Sequence, residues 1–367
     1  MTEYLVNFCY SRHSFSPQSP ILNLCTLLLE ACSCSARCQG MLASVILVSC
    51  FASGPIWKEP EHECTFKQLG TLTENPRARV TMPLDIAACD AIILQHRKVS
   101  DRSMQRLARA LKGNTKIREI SLVNIGGFGD DGIEALGQVL ADSSVISTFS
   151  IYGPQATGFT NQCTALGVAK FAAGLAQNTG LERMRLNDFF DDDGAAHLAA
   201  ALAKHPKIEE LRLDHNVRLG DRGAVAIANA LMGNTMLTHL VLVENRIGDE
   251  GAAALARMVS ALNKTLAFLS LGDNAIGDAG AVALAATLSG KNKLTALDLM
   301  ENEIGDVGAR ALAEALKSNV QLESIMIKGN LMSDAAYRGV LSALEHGDDF
   351  SLHEGALSED DFSNDDL

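Results

Sequence analysis

LTHLVLVENRIGDEGAAALARMV, residues 237–259, is followed by two near copies, LAFLSLGDNAIGDAGAVALAATL at 266–288 and LTALDLMENEIGDVGARALAEAL at 294–316. A looser copy, LESIMIKGNLMSDAAYRGVLSAL, closes the series at 322–344. Each copy opens with Leu-x-x-Leu-x-Leu-x-x-Asn, or Ile in place of Leu, and the first three continue through Ile-Gly-Asp into an Ala/Leu-rich run. The opening alternates like a strand whose leucines point inward. The run after Gly-Asp repeats apolar residues at three and four, as in Ala253, Leu255, Ala256 and Val259, which is one face of a helix. Asp249, Asp278 and Asp306 stand where a helix N-cap is expected.

A strand and a helix of this length cannot bury their apolar faces alone, so a fixed period of about 28 residues predicts a solenoid of stacked strand-loop-helix units. Working outward with the first apolar position as marker, the units start at Cys89, Ile117, Ile146, Leu181, Ile208, Leu237, Leu266, Leu294 and Leu322. Successive starts lie 27 to 29 residues apart except between Ile146 and Leu181, where 35 residues leave room for the loop-like insertion GPQATGFTNQ. The expected class is an α/β solenoid of about nine repeats. Helices are wider than the ~4.8 Å strand spacing, so the parallel strands take the concave face and the helices the convex face.

The rest of the 367-residue chain divides around this array. Residues 1–60 differ from it, with six of the nine cysteines and apolar runs at Ile21–Leu29 and Met41–Ala52. They are expected to be a poorly ordered leader, with a targeting signal or an anchor as alternatives. Met41 to Trp57 is short of the ~20 apolar residues of a membrane span and is interrupted by Ser and Pro. The sequence therefore argues against a membrane and for a cytoplasmic protein, secreted or membrane-attached only if that segment is a signal or anchor. Residues 61–88 are polar and serve as an N-terminal cap, 89–344 are the repeats, and 345–367 form an acidic tail without Lys or Arg. That tail is either a solvated end or an attractor of a basic partner. The net charge of −13 repels phosphate backbones and sets nucleic acid aside. Cys89 falls at a core position and is expected as a buried free thiol. A lone glycosylation sequon begins at Asn263.

Three constellations stand out. Asn216, Asn245, Asn274, Asn302 and Asn330 form a ladder. In the leucine-rich repeats that this pattern resembles, the Asn turns inward and its amide satisfies backbone groups where the strand bends into its loop, a need any buried turn has, so the ladder is expected to be structural. In the first four units Arg97, Ile125, Pro154 and Phe189 replace the Asn. Second, the residues flanking the inward leucines face the concave side. There Arg183, Arg185 and Arg212 gather mid-arc near Tyr152, Asp214 and His239, beside an apolar stripe of Val241, Val243, Phe268, Met300 and Met326 expected to be exposed. Arginine with exposed apolar residues is the composition of partner hot spots. The competing reading pairs Arg183 and Arg212 with Glu210 and Asp214 and leaves a solvated face. Third, Phe128, Phe159, Phe189 and Phe190 lie in the loops of units two to four. They form either a contact site or a cover over a loosened layer.

Catalytic signatures are missing: no phosphate-binding loop, no nucleophile with a neighbouring base, no metal-ligand spacing, and so no expected cofactor. Asp191, Asp192 and Asp193 diverge in a turn, where one is wanted as a helix cap.

The pattern LxxLxLxxNxIGDxGAxALAxAL, over Cys89 to Leu344, resembles the ribonuclease-inhibitor class of leucine-rich repeats and is similar in wording to repeats of NOD-like receptors and Ran GTPase-activating proteins. The resemblance implies a horseshoe solenoid and a non-catalytic scaffold or sensor, a monomer that grips a protein partner in signalling. The expected contacts are Arg183, Arg185, Arg212, Asp214, His239, Val241, Val243, Phe268, Tyr152 and Phe189 on its concave face and rim. The acidic tail adds the alternative of a GTPase activator acting on a small Ran-like GTPase, though no activating residue of that family has a matching motif here.

Overall fold

The computed structural model describes residues 63–65, 89–153, 163–261, 265–289 and 293–344. These residues lie in one compact unit, Glu59–Asp348. The leader, most of the 61–88 segment, Phe159, the Asn263 sequon and the acidic tail lie outside the described residues.

Ten strands form one parallel sheet in chain order: β1 Glu63–Thr65, β2 Ala91–Lys98, β3 Glu119–Gly126, β4 Thr148–Tyr152, β5 Arg183–Asn187, β6 Glu210–Arg212, β7 His239–Val241, β8 Phe268–Ser270, β9 Ala296–Asp298 and β10 Ser324–Met326. From β2 onward each strand is followed by a helix: α1 Asp101–Leu111, α2 Asp130–Asp142, α3 Ala165–Leu175, α4 Asp192–Leu202, α5 Asp221–Leu231, α6 Asp249–Ala261, α7 Asp278–Leu288, α8 Asp306–Leu316 and α9 Asp334–Leu344. The nine strand-helix units are those marked in the sequence, and each strand begins two residues after its marker. A leucine-rich-repeat solenoid is therefore the fold. β1 adds a strand ahead of the marked units, inside the stretch expected to be a cap, and pairs Cys64 with Ile92.

The core is one continuous layer between sheet and helices. Leu240, Leu242, Ile247, Leu255 and Met258 of unit six are fully buried, and the same positions recur as Leu269, Leu271, Ile276 and Leu284 in unit seven. Each such side chain contributes about 2 kcal/mol by leaving water. Cys163 is a buried free thiol. Cys89, expected to be one as well, is instead bonded in a disulfide.

Two polar ladders hold the units in register. In the first, the amide of Asn274 donates to the carbonyls of Leu271 and Gly272 in its own unit and of Leu242 in the preceding one, at 2.9 to 3.1 Å, while its oxygen accepts from Ile247 N at 2.9 Å. Asn216, Asn302 and Asn330 also bridge two units, so the ladder is structural as expected. The residue just before the Asn turns the chain with positive φ: His215, Glu244, Asp273 and Glu301 at 49° to 62°, and Gly329 at 80°. This turn ends the strand. Where the Asn is missing, at Arg97 and Ile125, pairing runs on to Lys98 and Gly126, and β2 and β3 reach eight residues against three in β6 to β10.

The second ladder corrects the capping expectation. Asp249 is the first residue of α6, and its Oδ1 accepts from Gly277 N and Gly280 N, at 2.8 and 2.7 Å, at the start of the next helix, α7. The N-cap of α7 is Gly277, which has no side chain to cap with. Asp101, Asp192, Asp221 and Asp278 cap across to the following unit in the same way. The second glycine of the motif makes room for this carboxylate. A Cβ on Gly280 would lie 2.8 Å from Asp249 Oδ1 and 2.7 Å from Ile276 Cγ2. Asp191 alone of its triplet caps its own helix, accepting from Gly194 N at 3.0 Å, while Asp193 meets Arg222 at 2.8 Å.

Candidate partner-binding site on the inner face

The register places the middle inner-face residues side by side: Ser121, Ser150, Arg185, Arg212, Val241, Ser270 and Asp298 on β3 to β9. Most of these positions carry small or apolar side chains, but β5 and β6 carry a charged set. Glu210 Oε1 accepts from Arg212 Nε at 2.6 Å and from Arg185 Nη2 at 2.8 Å. Arg185 Nη1 donates to the Tyr152 hydroxyl at 3.1 Å, and Arg183 Nε to Thr148 Oγ1 at 3.2 Å.

Burial sharpens these charges. Desolvation alone would raise Glu210, but Arg185 and Arg212 outweigh it and hold the carboxyl below its usual range. Burial likewise opposes the charge on Arg185, yet Tyr152 and Glu210 keep it firmly protonated. Asp214, two residues past Arg212, is different. Burial pushes its carboxyl up to about 6, only partly offset by Arg212 and by the Val243 backbone N–H. Its Oδ1 is buried without a hydrogen-bond partner, as is Asn187 Oδ1 on the neighbouring strand.

The structure gathers Tyr152, Arg183, Arg185, Arg212 and Asp214 at mid-arc, with Glu210 as the hub. The pairing reading holds for Arg212, whereas Arg183 turns to Thr148 and Arg185, not Arg183, shares Glu210. The apolar stripe is not exposed. Val241 is 0% and Phe268 3% exposed, while Val243, Met300 and Met326 are half-buried. Side chains on adjacent inner strands lie on one another, as when the His239 ring packs 5.8 Å from the Phe268 ring and Ser270 donates to Asp298 at 2.6 Å. Burial lowers the His239 pKa, and its Nδ1 lies 2.8 Å from Thr238 Oγ1.

Phe189 is buried as well. It stands where the Asn ladder is missing, its N–H and that of Phe190 meet Asn216 Oδ1, and its ring lies 6.1 Å from the fully buried Phe128. The described phenylalanines therefore cover the loosened layer. Glu210 and Asn187 were legible as inner-face positions, but nothing in the sequence marked one as hub and the other as unsatisfied. Among the described residues no group of three or more His, Cys, Asp or Glu is placed to hold a metal. No described helix is long and apolar enough to cross a membrane.

The repeats at 204–228, 233–256, 262–285 and 290–313 match a family model described as "Leucine Rich repeat". These matches and the strand-helix stack agree on a leucine-rich-repeat solenoid as the fold. No curated protein matches it. Among solved structures, "Leiomodin-1 Actin-Binding Site 2 (ABS2)" is similar at 22% identity and a TM-score of 0.35, over 42% of this chain and 87% of that one. The "Crystal structure of Rad7 and Elc1 complex in yeast" is similar at 13% identity and a TM-score of 0.41, over 68% of this chain and 65% of that one. At these values neither bears on what this chain binds.

Proposed function

We propose that the protein is a non-catalytic interaction scaffold that holds a protein partner on its concave face, centred on Tyr152, Arg183, Arg185, Glu210, Arg212 and Asp214. One observation carries this reading: the sheet keeps a desolvated Arg185–Glu210–Arg212 set, its two arginines standing in the middle column where Ser121, Ser150, Val241 and Ser270 stand on neighbouring strands. Replacing such a set by apolar groups of similar volume is often neutral or stabilising, so folding alone does not account for it. Fixed, hydrogen-bonded charges on a rigid sheet provide orientation and selectivity toward a partner while ordering little chain on binding. His239 and Val243 flank the set as half-buried contacts; Val241, Phe268 and Phe189 act from beneath, as support.

The test is affinity capture with the wild type and an Arg185→Met, Glu210→Leu, Arg212→Met variant, which removes the three charges of the set together. Partners recovered by the wild type and lost by the folded variant support the proposal; equal recovery refutes it. GTPase activation, the alternative drawn from the acidic tail after such repeats, has no geometric feature among the described residues in its favour. A turnover assay on a panel of GTP-loaded small GTPases decides it.

A further inference from the structure

We infer that Asn187 and Asp214 form the floor of a subsite for a basic side chain, the guanidinium or ammonium group of a protein partner, beside Tyr152 on the inner face. This rests on the inner face being the partner surface and adds the chemistry of the group seated there.

Asn187 pairs with Tyr152 in the β4–β5 register, and Asp214 follows β6 at the same distance from Arg212 as Asn187 does from Arg185. The two acceptors are therefore neighbours across adjacent strands. Asn187 is only 7% exposed, and neither its Oδ1 nor Asp214 Oδ1 receives a hydrogen bond. Buried acceptors are nearly always paired, and each exception in a native structure calls for a reason. Asp298, a buried acid of the same face, shows the ordinary case: Ser270 Oγ and Met300 N both donate to it. At the position of Asn187 and Asp214 other units carry Val123, Val243, Gly272 and Met300 as well as Gln95, Tyr152 and Lys328, so the repeat folds without a polar group there.

Two vacant acceptors select a ligand that only donates. Lys, Arg and Trp are the side chains with donors and no acceptor; of these only Lys and Arg carry the charge that complements Asp214, and the guanidinium fork matches a carboxylate edge. The surroundings favour a cation. Asp188 and Glu244 stand in the flanking loops, exposed and half-buried. Glu244 is engaged with His215, and Arg185 and Arg212 are held by Glu210. Burial raises the Asp214 carboxyl, and Arg212 and Arg185 offset that only in part. Asp214 as a whole residue is half-buried on the inner face, with its Oδ1 covered.

The experiment uses the full chain and fluorescein-labelled Gly-Arg-Gly-Arg-Gly-Arg-Gly, with a Glu-for-Arg peptide as the opposite-charge probe, followed by fluorescence anisotropy. The controls are Asp214→Asn, Asn187→Ala and Asp193→Asn, the last removing one charge from an exposed acid outside the inner face. A wild type that takes the basic peptide and not the acidic one, with at least a tenfold loss in Asp214→Asn and Asn187→Ala and less than twofold in Asp193→Asn, bears the inference out. Equal losses in Asp214→Asn and Asp193→Asn show general attraction to an acidic protein and overturn it, as does failure of the wild type to bind. Thermal unfolding of each variant separates lost binding from lost fold. If the subsite fails while partner capture still depends on the Arg185–Glu210–Arg212 set, the inner-face reading survives without it; the converse result leaves the subsite standing alone.

Discussion

Removing the carboxylate of Asp249 should loosen the helix that follows its own. Asp249 Oδ1 receives two part-buried backbone bonds, 2.8 Å from Gly277 N and 2.7 Å from Gly280 N, at the start of α7. Hydrogen bonds to a charged group are worth about 1.5–3 kcal/mol, and loss of a helix cap about 1 kcal/mol. The two donors share one acceptor, so the terms overlap, and Asp249→Ala is expected to cost about 2–3 kcal/mol in urea unfolding. Asp249→Asn keeps a neutral acceptor and should cost roughly half as much. Glu250→Ala, at the exposed neighbouring position, should stay within about 0.5 kcal/mol of wild type. Hydrogen exchange locates the damage: Gly277 and Gly280 amides should lose protection more than the amides of α6. If Asp249→Ala were no worse than Glu250→Ala, or if protection fell first in α6, capping between units would be the wrong account.

Glycine placement gives a prediction of opposite signs. A Cβ on Gly280 meets Ile276, Asp249 and Ala252 at 2.7 to 3.0 Å, so Gly280→Ala should destabilise by about 1–3 kcal/mol, whereas Gly339 within α9 has nothing within 4 Å and Gly339→Ala should stabilise by about 0.5–1 kcal/mol; both are read from urea midpoints. The Asp214 carboxyl is raised from 3.8 to about 6, so the folded chain binds more protons than the unfolded chain between those values and loses stability as pH rises through that window. Asp214→Asn should therefore raise the melting temperature at pH 7, by up to about 3 kcal/mol in stability, with the gain gone at pH 4; a gain that persists at pH 4 contradicts this. Burial first, then Asp130 and Asp101, push the Cys163 thiol up to about 12, so in the native protein at pH 8 Cys163 should stay unmodified by a thiol reagent, as mass spectrometry of its peptide would show, and become reactive in denaturant.

The fold was open to reading because every inward leucine is repeated, and a layer that must be buried leaves a period in the sequence. Strand starts and helix positions followed from that period, and the role of the Asn ladder from the resemblance to leucine-rich repeats. Capping did not, because Asp249 looks like a cap for the helix it begins; only stacking shows that its carboxylate reaches the neighbouring unit instead. The inner-face site was half legible. Alternation told which residues face inward, but not how they lie on one another, so Val241 and Phe268 were expected to be exposed and are buried. Nor could it tell whether Phe189 pointed outward or filled the gap left by the missing Asn.

The division of labour along the chain follows from these contacts. From unit five onward, unit after unit is tied to its neighbour by an Asn amide and an Asp carboxylate, and a side chain that bridges two repeats has little freedom to do anything else. Such ties make nearest-neighbour interfaces stiff, which is what a preformed binding surface requires. The last unit with Phe in place of Asn, unit four, adjoins the first with Asn216, and Phe189 and Phe190 dock on that asparagine. The Arg185–Glu210–Arg212 set spans the same junction, on β5 and β6. A seam between an irregular and a regular half is where the repeat's own rules constrain side chains least. That is where charges can be kept on the inner face, held in place by the rigid stack that follows.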